Sequence, residues 1–459
     1  MAGLAWLLAA AGQSAASPAT DDRFLDGLRQ RRLYRLAESF CRQQLRRSGL
    51  SDQRRAELVI ELAQACTDHA LQATGPERQR LWQEALSATQ DFVRLEPTSP
   101  RLVLVQTQLA VVQSSYAGAL LTDRELGAAV SLDQVRGLVR EAIAKLQAVG
   151  CTVDEQLKRK RRGEVSGPGM LTENELNSLQ RHAQFELAQA LLSQARSYPA
   201  ASPDRASSLA QADEILSPLA SRDQPDALVW SSRLAQITLS RLAGDGEELQ
   251  RRLALLEAAQ PPAAILAQAR AQQVWLDLDA GRVEAALKTV AAEAGDRSPS
   301  AEWNDAVLAA YVAAWRKAGQ DQHADEASRW QAKAAKLAET IERDYGPPWS
   351  RQAEMLLASA AAGSAGSGET ALLVKAAETF YRAGRSDEAL AAYDRAQAQA
   401  EHDRQPQAAF DAGFTAAAIE HERQHYAEAS RRFRALALKF PQQDRAAEAH
   451  LLAAFDAAQ

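Results

Sequence analysis

Apolar residues recur along this chain at helical spacing, with polar residues filling the positions between them. Leu25, Leu28, Leu33, Leu36, Phe40 and Cys41 form the first stripe. Arg29, Arg31, Arg32 and Arg35 lie between them, which predicts one amphipathic helical segment with a basic, solvated face. Gly49 and Ser51-Asp52 close that helix and cap the next. Leu58, Leu62, Ala65, Cys66 and Ala70 mark a second stripe, and the segment from Leu81 to Leu86 begins a third that ends at Pro97. Residues 102–121 and 132–149 read as two more helices. Thr172 with Glu175 three positions on makes a capping box, and Leu176, Leu179, Phe185 and Leu191 follow it. Pro199, Pro203, Pro218 and Pro225 punctuate short helices after that.

Three stretches interrupt the pattern and set the expected domain boundaries. Residues 1–19 hold an apolar core, Leu4 to Ala11, followed by the small residues Ser14, Ala15 and Ala16, as in a short export signal. The expected location is therefore the periplasm or cell envelope. The alternative is a cytoplasmic protein that keeps this segment. The core is too short to cross a bilayer, and no other stretch approaches the ~20 apolar residues a membrane helix needs. Residues 158–170 join Lys158-Arg159-Lys160-Arg161-Arg162 to a Gly/Pro-rich run and predict a basic linker loop. Residues 363–370 are a Gly/Ser linker. Between these lie an N-terminal helical-hairpin array (20–157), a middle helical array (171–362) and a C-terminal helix pair with an end helix (371–459).

Short motifs repeat across these arrays. Ala280-Gly281-Arg282-Val283-Glu284-Ala285-Ala286-Leu287 matches Ala383-Gly384-Arg385-Ser386-Asp387-Glu388-Ala389-Leu390 at Ala, Gly, Arg, Ala and Leu, and 384 − 281 = 103 is close to three times 34. Lys317-Ala318-Gly319-Gln320 reads as a third turn of the same kind. Glycine suits the corner between two helices because it takes left-handed dihedrals without a Cβ clash. Ala85 and Pro97 stand twelve positions apart, the distance from crossing alanine to closing proline in a tetratricopeptide helix pair.

The chain thus resembles the tetratricopeptide-repeat family. With Gly384 as the turn glycine, Phe380, Ala389, Tyr393 and Ala396 fall on the family's positions. With Ala429 as the crossing alanine, Tyr426, Phe433 and Pro441 do so as well, while Gln424 replaces the turn glycine and Gly413 takes an early position usually held by a larger residue. The crossing-to-crossing distance, 429 − 389 = 40, exceeds the regular 34 and predicts longer helices or a longer connection. The last ninety or so residues are similar to repeats of bacterial envelope proteins, the Tol-Pal coordinator and the outer-membrane assembly lipoprotein among them. The resemblance implies an all-α fold, an α–α superhelix or solenoid of antiparallel helix pairs. It further implies partner proteins or peptide segments held in a concave groove, with no catalytic residue and no cofactor. The end helix, with Leu451, Leu452 and Phe455, either covers the array or exposes an edge for self-association.

Composition agrees with the helical reading. Aromatic residues make up 6% of the 459, and the net charge is −6, which does not suggest a nucleic-acid binder. Cys41, Cys66 and Cys151 form no CxxC and read as small packed residues, with a Cys41–Cys66 bridge left open. Trp230, Trp275, Trp303, Trp315, Trp330 and Trp349 cluster in the middle region, as core fillers or as the lining of an aromatic groove.

One motif points to chemistry. His421-Glu422-Arg423-Gln424-His425 spells HExxH, which on a continuous helix puts two histidines on one face with a glutamate to activate water. A zinc-dependent hydrolase is therefore the alternative function. Against it stand the lack of a clear third ligand, the cation of Arg423 inside the motif, and a repeat register that runs a turn through Gln424-His425. No phosphate-binding loop and no nucleophile elbow occur. The expected function is a non-catalytic interaction scaffold.

Overall fold

A computed structural model describes residues 20–164, 169–222, 225–293, 300–363 and 370–459. The expected export signal and the centres of both expected linkers, 165–168 and 364–369, lie outside the described residues. Twenty α-helices and no strand are present among the described residues, and the chain is an all-α helical solenoid. It divides into two compact units between Leu276 and Asp277, and neither expected linker marks that division.

The first unit begins with α1 (Thr20–Gln30), α2 (Tyr34–Leu45), α3 (Asp52–Gln72), α4 (Gly75–Leu95), α5 (Leu102–Glu125) and α6 (Leu132–Arg161). It continues through α7 (Glu173–Arg196), α8 (Pro203–Ala220), α9 (Ala227–Ala243) and α10 (Gly246–Ala258), and α11 (Ala263–Asp279) carries the chain across the division. From α3 to α10 each helix packs on the next, and α3, α5, α7 and α9 also touch one another side by side. They form one layer, with α4, α6 and α8 in a second. Trp82 of α4 stacks on Tyr116 of α5 at 5.0 Å within the core they share with Cys41 and Cys66. Helix α5 is buried on most of its sides, polar Thr107, Gln108, Gln113 and Ser114 included, which fits its central place between α3 and α7.

The second unit contains α12 (Val283–Ala292), α13 (Ala301–Gln320), α14 (Ala324–Tyr345), α15 (Pro347–Gly363) and α16 (Thr370–Arg382). Helices α17 (Ser386–His402), α18 (Pro406–Glu422), α19 (Tyr426–Lys439) and α20 (Ala446–Asp456) complete it. Consecutive helices pack from α12 to α20, and Phe410, Phe414 and Phe433 fill the core of its C-terminal end.

One corner occurs seven times among the described residues. Arg32, Gly244, Gly281, Gln322, Gly384, Arg404 and Gln424 all have left-handed φ, between 57° and 74°. At each, the next residue's N–H donates to the carbonyl five positions back, as Arg385 does to Phe380 (2.9 Å) and His425 to Glu420 (2.9 Å). That is the 6→1 bond of a Schellman ending, and the following helix starts at once. The fifth residue after the corner is fully buried each time. It is Ala37, Ala286, Ala327, Ala389, Ala409, Ala429 or, once, Leu249. A small residue there lets the new helix approach the old one closely.

These corners correct several expectations. The stripe from Leu25 to Cys41 is two helices broken at Arg32, and Leu33 and Leu36 are exposed. Gly319 is inside α13, and the left-handed residue is Gln322. The 40-residue crossing distance comes from helix length, since α17 and α18 have 17 residues each and their corners stand 404 − 384 = 20 and 424 − 404 = 20 apart. Gly413 has its own reason: a Cβ there would come within 2.5 Å of Gln397 and 2.6 Å of Leu436.

Two further boundaries move. Lys158 to Arg161 are the last turn of α6, not a loop, because cations there meet the negative end of the helix dipole. Pro218 lies inside the last turn of α8, and the helix runs on to Ala220. The Thr172 capping box is present as expected: Glu175 N–H donates to Thr172 Oγ1 (3.2 Å) and Thr172 N–H to Glu175 Oε2 (2.6 Å).

Candidate functional site

The HExxH letters fall on a helix end. Helix α18 stops at Glu422, Gln424 takes the left-handed corner, and α19 begins at Tyr426. His421 and His425 therefore belong to different elements, and each side chain has its own partner. His421 Nδ1 is 2.6 Å from Asp456 Oδ1, and the Asp456 carboxylate is wholly buried at the end of α20. The Glu422 carboxylate accepts from the Tyr381 hydroxyl on α16. His425 Nδ1 is 2.8 Å from Glu420, and Arg423 pairs with Asp387 at 2.8 Å. Among the described residues no three His, Cys, Asp or Glu side chains converge as a metal site would require. The motif does not fit a zinc centre. Its residues fasten α16, α19 and α20 to one corner.

The residues assigned to the repeat lie as follows. Ala85, Ala286, Ala389 and Ala429 are fully buried at helix contacts, and Tyr393 and Phe433 are buried in the core. Gly281 and Gly384 are exposed corner residues with φ of 70° and 74°. Tyr426 is half-buried and packs edge-on against His421 at 5.7 Å. Pro97 and Pro441 are exposed, just beyond the ends of α4 and α19.

The basic run is engaged with its own chain. Lys160 donates to the Leu171 carbonyl, Arg161 pairs with Glu173 at 3.0 Å, and Arg159 and Arg162 both lie within 4 Å of Glu164. The six tryptophans are divided, with Trp230 and Trp275 in the first unit and the others in the second. Trp315 is core, whereas Trp330 packs on Tyr311 with the Lys333 ammonium 4.2 Å from its ring. A cleft of about 240 Å³ between α14, α15 and α16 is lined by Ala338, Glu339, Glu342, Ala353, Glu354 and Lys375, with no tryptophan. Cys41 and Cys66 are free and buried, and burial pushes both thiols up, Cys41 to about 12. Cys151 is exposed, against expectation.

One surface and one set of buried polar groups stand out. On α20, Leu451 (71% exposed) and Phe455 (53%) face outward four positions apart, with the exposed Ala447 and Ala454 on the same side. That outer stripe is apolar, as the buried one formed by Ala446, Ala449 and Ala453 is. On the first layer of the first unit, Gln64 (α3), Gln108 (α5) and His182 (α7) are buried with an oxygen or nitrogen that no described group contacts by hydrogen bond. Sequence reading missed these buried groups because glutamine between apolar residues looks like part of a solvated helix face. The available signal was α5 itself, which has no charged residue before Asp123.

Comparison with known proteins adds little. No family model matches the chain, and no curated protein matches it. Among solved structures, a circular tandem repeat protein with novel repeat topology and enhanced subunit contact surfaces aligns over 99% of this chain and 94% of its own. The identity is 15% and the TM-score 0.27, an overlap too low to carry an argument.

Proposed function

We propose that this chain is a non-catalytic scaffold of tetratricopeptide-like helix pairs that holds partner proteins or peptide segments in the cell envelope. The recurring corner carries the reading: a left-handed residue and, five positions on, a buried alanine recur five times in the second unit and once, at Arg32 and Ala37, in the first. A helix pair cannot bury its apolar face alone. Stacked pairs share a continuous core and leave one long layer face for a partner. The apolar core of residues 4–11 supports export, and the C-terminal motifs support kinship with the envelope repeats. No described helix is long and apolar enough to cross a membrane.

The test is made on the purified full chain. Zinc is expected well below one equivalent, and a partner isolated from an envelope fraction is expected to bind again when both are pure. Stoichiometric zinc that disappears in His421→Ala, with hydrolytic activity lost in Glu422→Gln, would overturn the scaffold reading.

The outer stripe of α20 favours a second reading, self-association through this helix. A helix apolar on both faces gains by burying the second. Sedimentation should show dimers that Leu451→Glu converts to monomers, and a monomeric parent chain would refute it.

A further inference from the structure

The corner between α1 and α2 gathers exposed apolar side chains. Phe24 (48% exposed), Leu33 (42%) and Leu36 (56%) all stand on it. Leu36, Phe40 and Gln43, four and three positions apart, share one face of α2, and Leu33 stands at its N-terminal end. The Phe24 ring meets Phe40 edge-on at 5.3 Å, which joins α1 to that stripe. The inner faces of both helices are already used, since Leu25, Leu28, Ala37 and Cys41 are buried in the core. The outer stripe is therefore a second, separate apolar face.

The charge around the stripe has one sign. Arg31, Arg32, Arg35, Arg46 and Arg47 are exposed. From residue 27 to residue 47 the single acid is Glu38, which is 2% exposed and engaged with His69 and Arg42. Arg35 pairs with Glu77 of α4 at 2.7 Å, with both side chains still exposed, and Arg31 reaches the Gly27 carbonyl at 3.5 Å. Arg32, Arg46 and Arg47 meet no carboxylate among the described residues. Asp26 is two positions from Phe24 and so lies on another side of α1. The whole chain carries −6, so this corner locally reverses the sign of the molecule.

We propose that this corner docks on an anionic lipid surface, with Phe24, Leu33 and Leu36 entering the headgroup region and the arginines lying among the phosphates. An apolar stripe flanked by arginines is the pattern of a helix that lies in a membrane interface. Charge argues against two nearer occupants. Residues 1–19 carry no charged side chain and offer the arginines no partner. A second copy would bring the same cations against these. The three apolar side chains are about half exposed and not sunk in a groove, and a fluid layer shapes itself around such projections where a folded protein must match them. The inference does not depend on the scaffold reading.

The test mixes the full chain with vesicles of phosphatidylcholine, alone or with phosphatidylglycerol, and measures co-sedimentation. Affinity for the anionic vesicles should exceed that for the neutral ones about a hundredfold. It should fall as salt is raised to about 1 M, where charges are screened beyond ~3 Å. Arg31→Gln, Arg46→Gln and Arg47→Gln should each weaken binding about fivefold, on the order of a hundredfold together. Leu36→Gln should weaken it about tenfold. All four positions are exposed, so the helical circular dichroism should not change, and Leu36→Gln is the independent check if the triple variant misfolds. Equal binding to both vesicles overturns the inference. So does anionic binding that the variants leave intact, which would assign it to residues 1–19 or to the basic run 158–162. Absence of vesicle binding overturns it too, and an acidic leucine-bearing peptide that then binds the parent chain and not the variants would give the corner to an acidic protein. None of these outcomes touches the scaffold reading.

Discussion

Replacing Asp305 by asparagine is expected to flatten the pH dependence of the second unit's stability and to raise that stability at pH 8. Asp305 is 4% exposed on α13, its Oδ2 accepts from Gln352 Nε2 at 2.6 Å, and its Oδ1 has no partner among the described residues. Burial lifts its carboxyl to about 7, with the charge of Glu302 adding to the effect. An unfolded aspartate releases its proton near 4. Below about 4 both states hold the proton. Between about 4 and 7 the folded state keeps a proton the unfolded chain has lost, so stability falls as pH rises, and above about 7 the loss is complete. About three pH units at 1.4 kcal/mol each give a loss on the order of 4 kcal/mol. Asparagine is isosteric, stays neutral at every pH and can still accept from Gln352 through its carbonyl. Hydrogen exchange over residues 301–320 of the full chain, read at pH 5 and pH 8, measures the effect. Parent and variant with the same pH dependence would show that Asp305 is ionised in the fold.

Phe433→Ala should cost about 3–5 kcal/mol, the usual range for a fully buried aromatic side chain. The Phe433 ring meets Phe414 edge-on at 5.1 Å and shares its core with Phe410, Leu436 and Ala449, so its loss opens a cavity between α18, α19 and α20. For a unit of this size the melting temperature should drop by about 10 °C, followed by circular dichroism. A change within ~0.5 kcal/mol, typical of surface substitutions, would mean that these three helices do not share a packed core.

Helix identity was legible because apolar spacing at 3.6 residues is strong and local. Corner position was only half legible. Gly281 and Gly384 announce left-handed corners, but Arg32, Gln322, Arg404 and Gln424 take the same conformation with side chains that carry no such signal. The 6→1 hydrogen bond and the buried residue five positions on supply what glycine would have contributed. Gly319 misled because glycine is tolerated inside a helix at a cost near 1 kcal/mol. Like-charge repulsion from Lys158 to Arg161 read as a loop, whereas the helix dipole and the acids at 164 and 173 make that run a stable helix end. For the candidate site, the HExxH letters were visible and the turn through them was inferable. Their partners Asp456, Tyr381 and Glu420 were not, because they come from a neighbouring helix or from across a corner.

The equal spacing of the corners at Gly384, Arg404 and Gln424 makes chain length a quantity that recombination can change in whole units. If residues 385–424 are excised, Gly384 is followed directly by His425, and Ala429 still falls five positions after the corner. A gene can thus gain or shed forty codons here without needing a new turn to lead into α19.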